Sequence, residues 1–281
     1  MHPSQLIDAT RLQHLIQTER CVVVDCRFAL TDPQQGRADW LASHIPGAHY
    51  AHLNEQLAAP VTEDTGRHPL PDPAAFADFL ASIGWSSDRL LVAYDDATNS
   101  IAARLWWLMR YFNLPAALLD GGYAAWTRAG YPTRSGPEES CVSTAPELTG
   151  NEKMIVSGEE VLASLELGKL TILDARASER FSGEVEPLDT KAGHIPGALN
   201  RPFSFNVDEQ GHFKKPAVLK KEFEALLGNI APGQLANSCG SGVTACHNVF
   251  AMELAGLAPT KLYAGSWSEW IRNPDHPIET G

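Results

Sequence analysis

The chain has 281 residues, enough for one large domain or two modest ones with a buried core. Hydrophobic residues at 44% and charged residues at 20% are ordinary for a globular protein and give no sign of disorder. Lys plus Arg number 22 against 34 for Asp plus Glu, a net charge of −12, which argues against an extended nucleic-acid footprint or an anionic-membrane patch but not against a small anion held by local cations.

The first predicted element is a helix over Ala9–Gln17, where Leu12, Leu15 and Ile16 fall at helical spacing behind Asp8 as N-cap. Cys21-Val22-Val23-Val24-Asp25 follows as a short, continuous, β-branched run, the pattern of a strand covered on both faces. Asp72 and Pro73 supply a cap and a first-turn proline ahead of Phe76, Phe79, Leu80 and Ile83, and Gly84 closes that helix. Leu90-Leu91-Val92-Ala93-Tyr94 is the next buried strand, then a helix over 101–112 with Trp106 and Trp107, a strand over Ala116–Leu119 and a helix containing Trp126.

The second half repeats the first. His44-Ile45-Pro46-Gly47-Ala48 recurs as His194-Ile195-Pro196-Gly197-Ala198, and Asp25-Cys26-Arg27 as Asp174-Ala175-Arg176, each about 150 residues on. Gly121 and Trp126 recur as Gly265 and Trp270 at an offset of about 144. Each unit alternates strands with helices, which predicts an α/β fold with a mainly parallel sheet flanked by helices. The stretch 132–150 is rich in Pro, Ser, Thr, Gly and Glu, as linkers are. The expected division is a domain over 1–140, a linker over 141–149 that contains an incidental Cys141, and a domain over 150–281 beginning with a helix capped by Ser157.

No apolar run approaches the roughly 18–20 residues of a membrane-spanning helix, and Met1-His2-Pro3-Ser4-Gln5 lacks the basic and apolar regions of a signal peptide, so the expected compartment is the cytoplasm. The five cysteines, Cys21, Cys26, Cys141, Cys239 and Cys246, form neither a Cys-x-x-Cys pair nor a zinc-finger spacing, and no metal or cofactor is expected. Cys21 and Cys26 read as small buried residues of a strand, and Cys246 as a packing residue of a helix.

The halves diverge at one loop. The offset that aligns Trp126 with Trp270 sets Asp95 against Cys239, so Asp95-Asp96-Ala97-Thr98-Asn99-Ser100 stands where the second half has Cys239-Gly240-Ser241-Gly242-Val243-Thr244. Glycines let successive backbone N–H groups converge on one anion, and a helix predicted over 245–255 adds its positive end, which favours a nucleophilic thiolate or a persulfide anion. The plainer reading, a tight strand-to-helix turn with Cys239 buried, stays open on spacing alone. Cysteine phosphatases need an arginine six positions after the cysteine to grip phosphate, and that position is Ala245, which disfavours phosphoryl transfer.

With the repeat, the two His-Ile-Pro-Gly-Ala segments, the Cys239 loop and the ending Gly265-Ser266-Trp267-Ser268-Glu269-Trp270, the chain strongly resembles the two-domain rhodanese-like sulfurtransferases over nearly its whole length. Its loop is most similar to that of the 3-mercaptopyruvate sulfurtransferases. The resemblance implies tandem rhodanese-like α/β/α domains, the N-terminal one catalytically inactive and the C-terminal one carrying sulfur on Cys239. Thiosulfate-preferring members carry basic residues just after the cysteine, whereas Gly240 and Ser241 are uncharged, which favours mercaptopyruvate.

The resemblance places Arg180 at the substrate carboxylate, a task for which a planar fork of donors is suited, and makes Gly240, Gly242, Val243 and Thr244 the substrate-binding loop. It implies a proton relay of Ser241 with His68 from the first half. Two positions depart from the family pattern: Leu188 follows Glu186-Pro187 where a second arginine is usual, with Lys191 the nearby replacement charge, and His52 stands where the relay's acidic partner is usual. Arg176, His44 and His194 read as structural. The expected activity is transfer of a sulfane sulfur from 3-mercaptopyruvate, through Cys239, to cyanide, a thiol or a thioredoxin-like protein. Thiosulfate:cyanide transfer and a non-catalytic sulfur-carrying or partner-binding module are the alternatives.

Overall fold

The computed structural model describes residues 5–96, 98–139 and 142–281; Ala97, Cys141 and the reading of residues 1–4 fall outside them. By compactness the chain forms two units that are not collinear with the sequence. Residues up to Ala59, Leu70–Asn151 and Asp208–Phe213 make the first, and Pro60–Pro69, Glu152–Val207 and Lys214–Gly281 make the second.

The first unit runs β1 (Gln5–Ile7), α1 (Ala9–Gln17), β2 (Cys21–Asp25), α2 (Gln35–Ala42), β3 (Ala48–Tyr50), α3 (Pro73–Ser82), β4 (Leu90–Tyr94), α4 (Ala102–Tyr111), β5 (Ala116–Leu119) and α5 (Gly122–Arg128). Its five strands are ordered β1-β5-β4-β2-β3 and every pairing is parallel. β2 and β5 are buried along their whole length, as their unbroken apolar runs require of strands covered on both faces.

The second unit repeats this order with β6 (Ile155–Val156), α6 (Gly158–Leu167), β7 (Thr171–Asp174), α7 (Ser178–Ser182), β8 (Leu199–Asn200), α8 (Pro216–Leu227), β9 (Leu235–Ser238), α9 (Ala245–Leu254), β10 (Lys261–Tyr263) and α10 (Ser266–Trp270). The sheet order β6-β10-β9-β7-β8 matches the first strand for strand, again wholly parallel. In each unit the strand that precedes the divergent loop, β4 or β9, lies at the sheet centre, so the loop leaves the carboxyl edge of the central strand.

The predicted caps are in place. Asp8 accepts the Arg11 N–H at 2.7 Å, Asp72 accepts from Ala74 and Ala75, and Ser157 with Glu160 forms a capping box at the start of α6. Each core closes on a fully buried tryptophan whose indole N–H donates to a proline carbonyl at 2.9 Å, Trp126 to Pro132 and Trp270 to Pro277. The repeat thus extends to the packing of single side chains.

Candidate active site

β9 is buried throughout and delivers Cys239, itself only 2% exposed, to the start of the loop that leads into α9. The Cys239 Sγ accepts the N–H of Gly242 at 3.1 Å and that of Ser241 at 3.5 Å. Gly242 has φ +75°, a left-handed conformation, and a Cβ there would lie 2.2 Å from the Ala264 carbonyl oxygen, so only glycine lets the chain fold back over the sulfur. Thr244 is the N-cap residue of α9 without a side-chain cap bond, and the buried Val243 precedes it. The N-terminus of α9 behind them adds positive potential at the loop.

α10 holds the loop from the other side. The N–H groups of Trp267 and Ser268 donate to the carbonyls of Cys239 and Gly240 at 3.0 and 2.9 Å, and the Cys239 N–H donates to the Ser266 Oγ at 3.1 Å. Ser266, at φ +54° and fully buried, in turn donates to the Tyr263 carbonyl. This positioning role was missed by sequence reasoning, although Ser266 lies within the repeated ending.

The first unit's loop has the same anchoring with a different occupant. Tyr123 and Ala124 N–H groups donate to the carbonyls of Asp95 and Asp96. The Asp95 carboxylate then accepts the N–H groups of Asn99, Ile101 and Ala102, at 2.8, 2.8 and 3.3 Å. Main-chain donors at this strand-to-helix junction therefore converge on one side-chain acceptor even where no cysteine is present. Burial nevertheless pushes Asp95 up to about 6, against the lowering effect of those three donors.

Around Cys239 the second unit gathers residues distant in sequence. His68 Nδ1 lies 2.7 Å from the Ser241 Oγ, with both side chains buried, so a proton can pass between ring and hydroxyl. Arg180 binds Glu186 through Nε and Nη2, with Nη2 also 3.1 Å from Asp189. Arg67, which sequence reasoning did not single out, binds the other oxygen of Asp189 through Nη1. A Cβ at Gly240 would meet Arg67 Nη2 at 2.9 Å and Arg180 Nη1 at 3.4 Å, so two guanidiniums flank the residue after the cysteine.

The other candidates make contacts of their own. Lys191 contributes its carbonyl, which accepts the Trp267 indole N–H at 2.9 Å, and makes no ion pair among the described residues. Leu188 is 44% exposed. His52 uses Nε2 on the Pro33 carbonyl and belongs to the first unit. Arg176 makes a fork on Asp174 that Arg27 reproduces on Asp25 in the unit without the cysteine, which marks the pair as structural. His44 and His194 bind the carbonyls of Trp40 and Phe181. Cys21, Cys26 and Cys246 are buried; burial pushes Cys21 up to about 11, and Cys246 donates to the Gly242 carbonyl.

Comparison with known proteins gives a consistent picture. The sequence pattern of the rhodanese-like domain matches residues 8–129 and again 157–273. The chain is 45% identical, over the full length of both, to a Pseudomonas aeruginosa protein named as a probable 3-mercaptopyruvate sulfurtransferase. It is 33% identical to the thiosulfate sulfurtransferase of Bos taurus, over 92% of this chain and 86% of that one. Among solved structures it is similar to the 3-mercaptopyruvate sulfurtransferase from Leishmania major, with a TM-score of 0.84 and 28% identity, covering 96% of this chain and 75% of that one.

Proposed function

The chain belongs to the rhodanese-like sulfurtransferases, and from that premise we propose that it takes the sulfur of 3-mercaptopyruvate onto Cys239 and passes it to a thiol-type acceptor. The observation that carries this reading is the Cys239 sulfur held by loop N–H groups beside a Ser241–His68 pair, a combination that the otherwise matching first unit lacks. Among the described residues no helix is long and apolar enough to cross a membrane, and the reading places the enzyme in the cytoplasm.

In the first step the Cys239 thiolate attacks the donor sulfur, a sulfur–sulfur bond forms and the carbon–sulfur bond breaks. Its electron pair leaves with pyruvate as the enolate. The proton released from the donor thiol returns to the enolate carbon through Ser241 and His68, so the products are pyruvate and the persulfide anion, with no external oxidant or reductant. Loop N–H groups that donate to a thiolate can also donate to the persulfide. In the second step a thiol, cyanide or a reduced thioredoxin-like protein attacks the outer sulfur and the Cys239 thiolate departs.

Intact-mass measurement after exposure to 3-mercaptopyruvate tests the reading. The wild type should gain one sulfur atom, lost again on adding cyanide, and Cys239→Ser should gain none; a gain that persists in Cys239→Ser, or none in the wild type, ends it. Thiosulfate is the second donor, favoured by the two guanidiniums beside Gly240 and by relatives that carry that name. Against it, Glu186 and Asp189 already offset those charges, which suits a singly charged carboxylate better than a dianion. The ratio of kcat/KM for the two donors decides between them. A module that only carries sulfur or binds a partner would turn over neither donor.

A further inference from the structure

The geometry points to Arg67 Nη2 and Arg180 Nη1 as a two-pronged seat for the substrate carboxylate, with Arg67 standing in for the arginine absent at Leu188. This rests on the reading of Cys239 as the sulfur-accepting residue.

Three observations carry it. The first is which nitrogens are taken. Arg180 commits Nε and Nη2 to Glu186 and Asp189, and Arg67 commits Nη1 to Asp189. Among the described residues no hydrogen bond or ion pair engages Arg180 Nη1 or Arg67 Nη2, and these are the two atoms that converge beside Gly240. Guanidinium nitrogens of two residues presented side by side match the two oxygens of one carboxylate.

The second is that both arginines are held rather than dangling. The Asp189 side chain is 5% exposed and bridges them, one oxygen to each. The Arg67 N–H donates to the Ser268 Oγ at 3.0 Å, and a Cβ at the preceding Gly66 would lie 2.5 Å from the Gly265 carbonyl, so the backbone here is seated against the start of α10. That helix also anchors the carbonyls of Cys239 and Gly240, which ties Arg67 to the same frame as the nucleophile. A pre-positioned fork loses little freedom when an anion arrives.

The third is charge. Asp174, Arg176, Glu186, Arg180, Asp189 and Arg67 alternate in sign along one chain of contacts, so the array is balanced before substrate binds. Burial and the neighbouring Arg180 charge pull Arg67 below its ordinary value. An arginine remains charged through such a shift.

The test separates carboxylate recognition from sulfur transfer. 3-Bromopyruvate and bromoacetone alkylate a thiolate by the same displacement of bromide and differ by the carboxylate alone. Rates are read at Cys239 by peptide mass, and the result is the ratio of the two second-order rate constants. Arg67→Ala should lower that ratio about 10–100-fold, the worth of a hydrogen bond to a charged group, as should Arg180→Ala. Arg67→Lys should recover part of it, since an ammonium keeps the charge without the fork. A ratio within about twofold of wild type in Arg67→Ala, including the case where both probes slow together because the loop has shifted, overturns the inference, and so does a loss confined to Lys191→Ala. A wild type that shows the ratio and its dependence on Arg67 yet forms no persulfide from 3-mercaptopyruvate would uphold the seat and reject the activity.

Discussion

At Gly242 and Gly240 the same residue type serves opposite purposes. Gly242 has a left-handed φ, and a methyl group there would press on the Ala264 carbonyl, a backbone atom that cannot step aside. Gly242→Ala should therefore cost about 2–4 kcal/mol, seen as a lower urea midpoint, and should abolish sulfur loading. A methyl at Gly240 would meet the ends of Arg67 and Arg180, which can move. Gly240→Ala should fold like the wild type and raise KM for 3-mercaptopyruvate more than it lowers kcat, because it displaces the donors and not the sulfur. Both glycines were visible in the sequence as a loop signature. Their different duties were not, because the atoms they face come from residues far along the chain.

At the level of elements, legibility followed the local signals. α1, α3 and α6 were read with their caps because Asp8, Asp72 with Pro73, and Ser157 place a side-chain acceptor or a preset φ at the first turn. Ser157→Ala should cost about 1 kcal/mol, measurable as a fall in the thermal midpoint, since it frees the Glu160 N–H that the hydroxyl accepts. α2 went unread because Gln34 makes no cap bond and Gly36 is its single buried residue, so no apolar stripe marks it. β1 and β8 have three and two residues, too short for any alternation, and exist by pairing with β5 and β7. α8 did carry a signal, with Leu219, Phe223 and Leu227 buried four residues apart behind Pro216.

For the whole molecule, the duplication separates what the fold needs from what the chemistry needs. The Asp25–Arg27 and Asp174–Arg176 forks and the Trp126 and Trp270 anchors occur in both units. The Cys239 thiol is confined to the second, and its first-unit counterpart is a buried carboxylate. The folded state raises Asp95 from the ordinary 3.8 to about 6, so it favours the protonated form. Its contribution to stability is full below about pH 4 and is lost as pH rises through 6, on the order of 2–3 kcal/mol. Denaturant unfolding of wild type and Asp95→Asn between pH 4 and 7 should show the wild type losing ground to the variant as pH rises; parallel curves would contradict the shift.

By itself the sequence determined the repeat, the parallel α/β units, the helix caps and the cysteine loop, because each is written in local spacing or in a motif that recurs. His68 and Lys191 entered through family likeness, and Arg67 was not foreseen. Only the tertiary structure decided which partners meet. His68 and Ser241 lie 173 positions apart, and Arg67 and Asp189 lie 122 apart. The segment Pro60–Pro69 is built into the second unit although its neighbours on both sides belong to the first. No periodicity encodes such a placement, since it arises from backbone fit, as at Gly66 against Gly265, and from charges that find each other after the chain has packed.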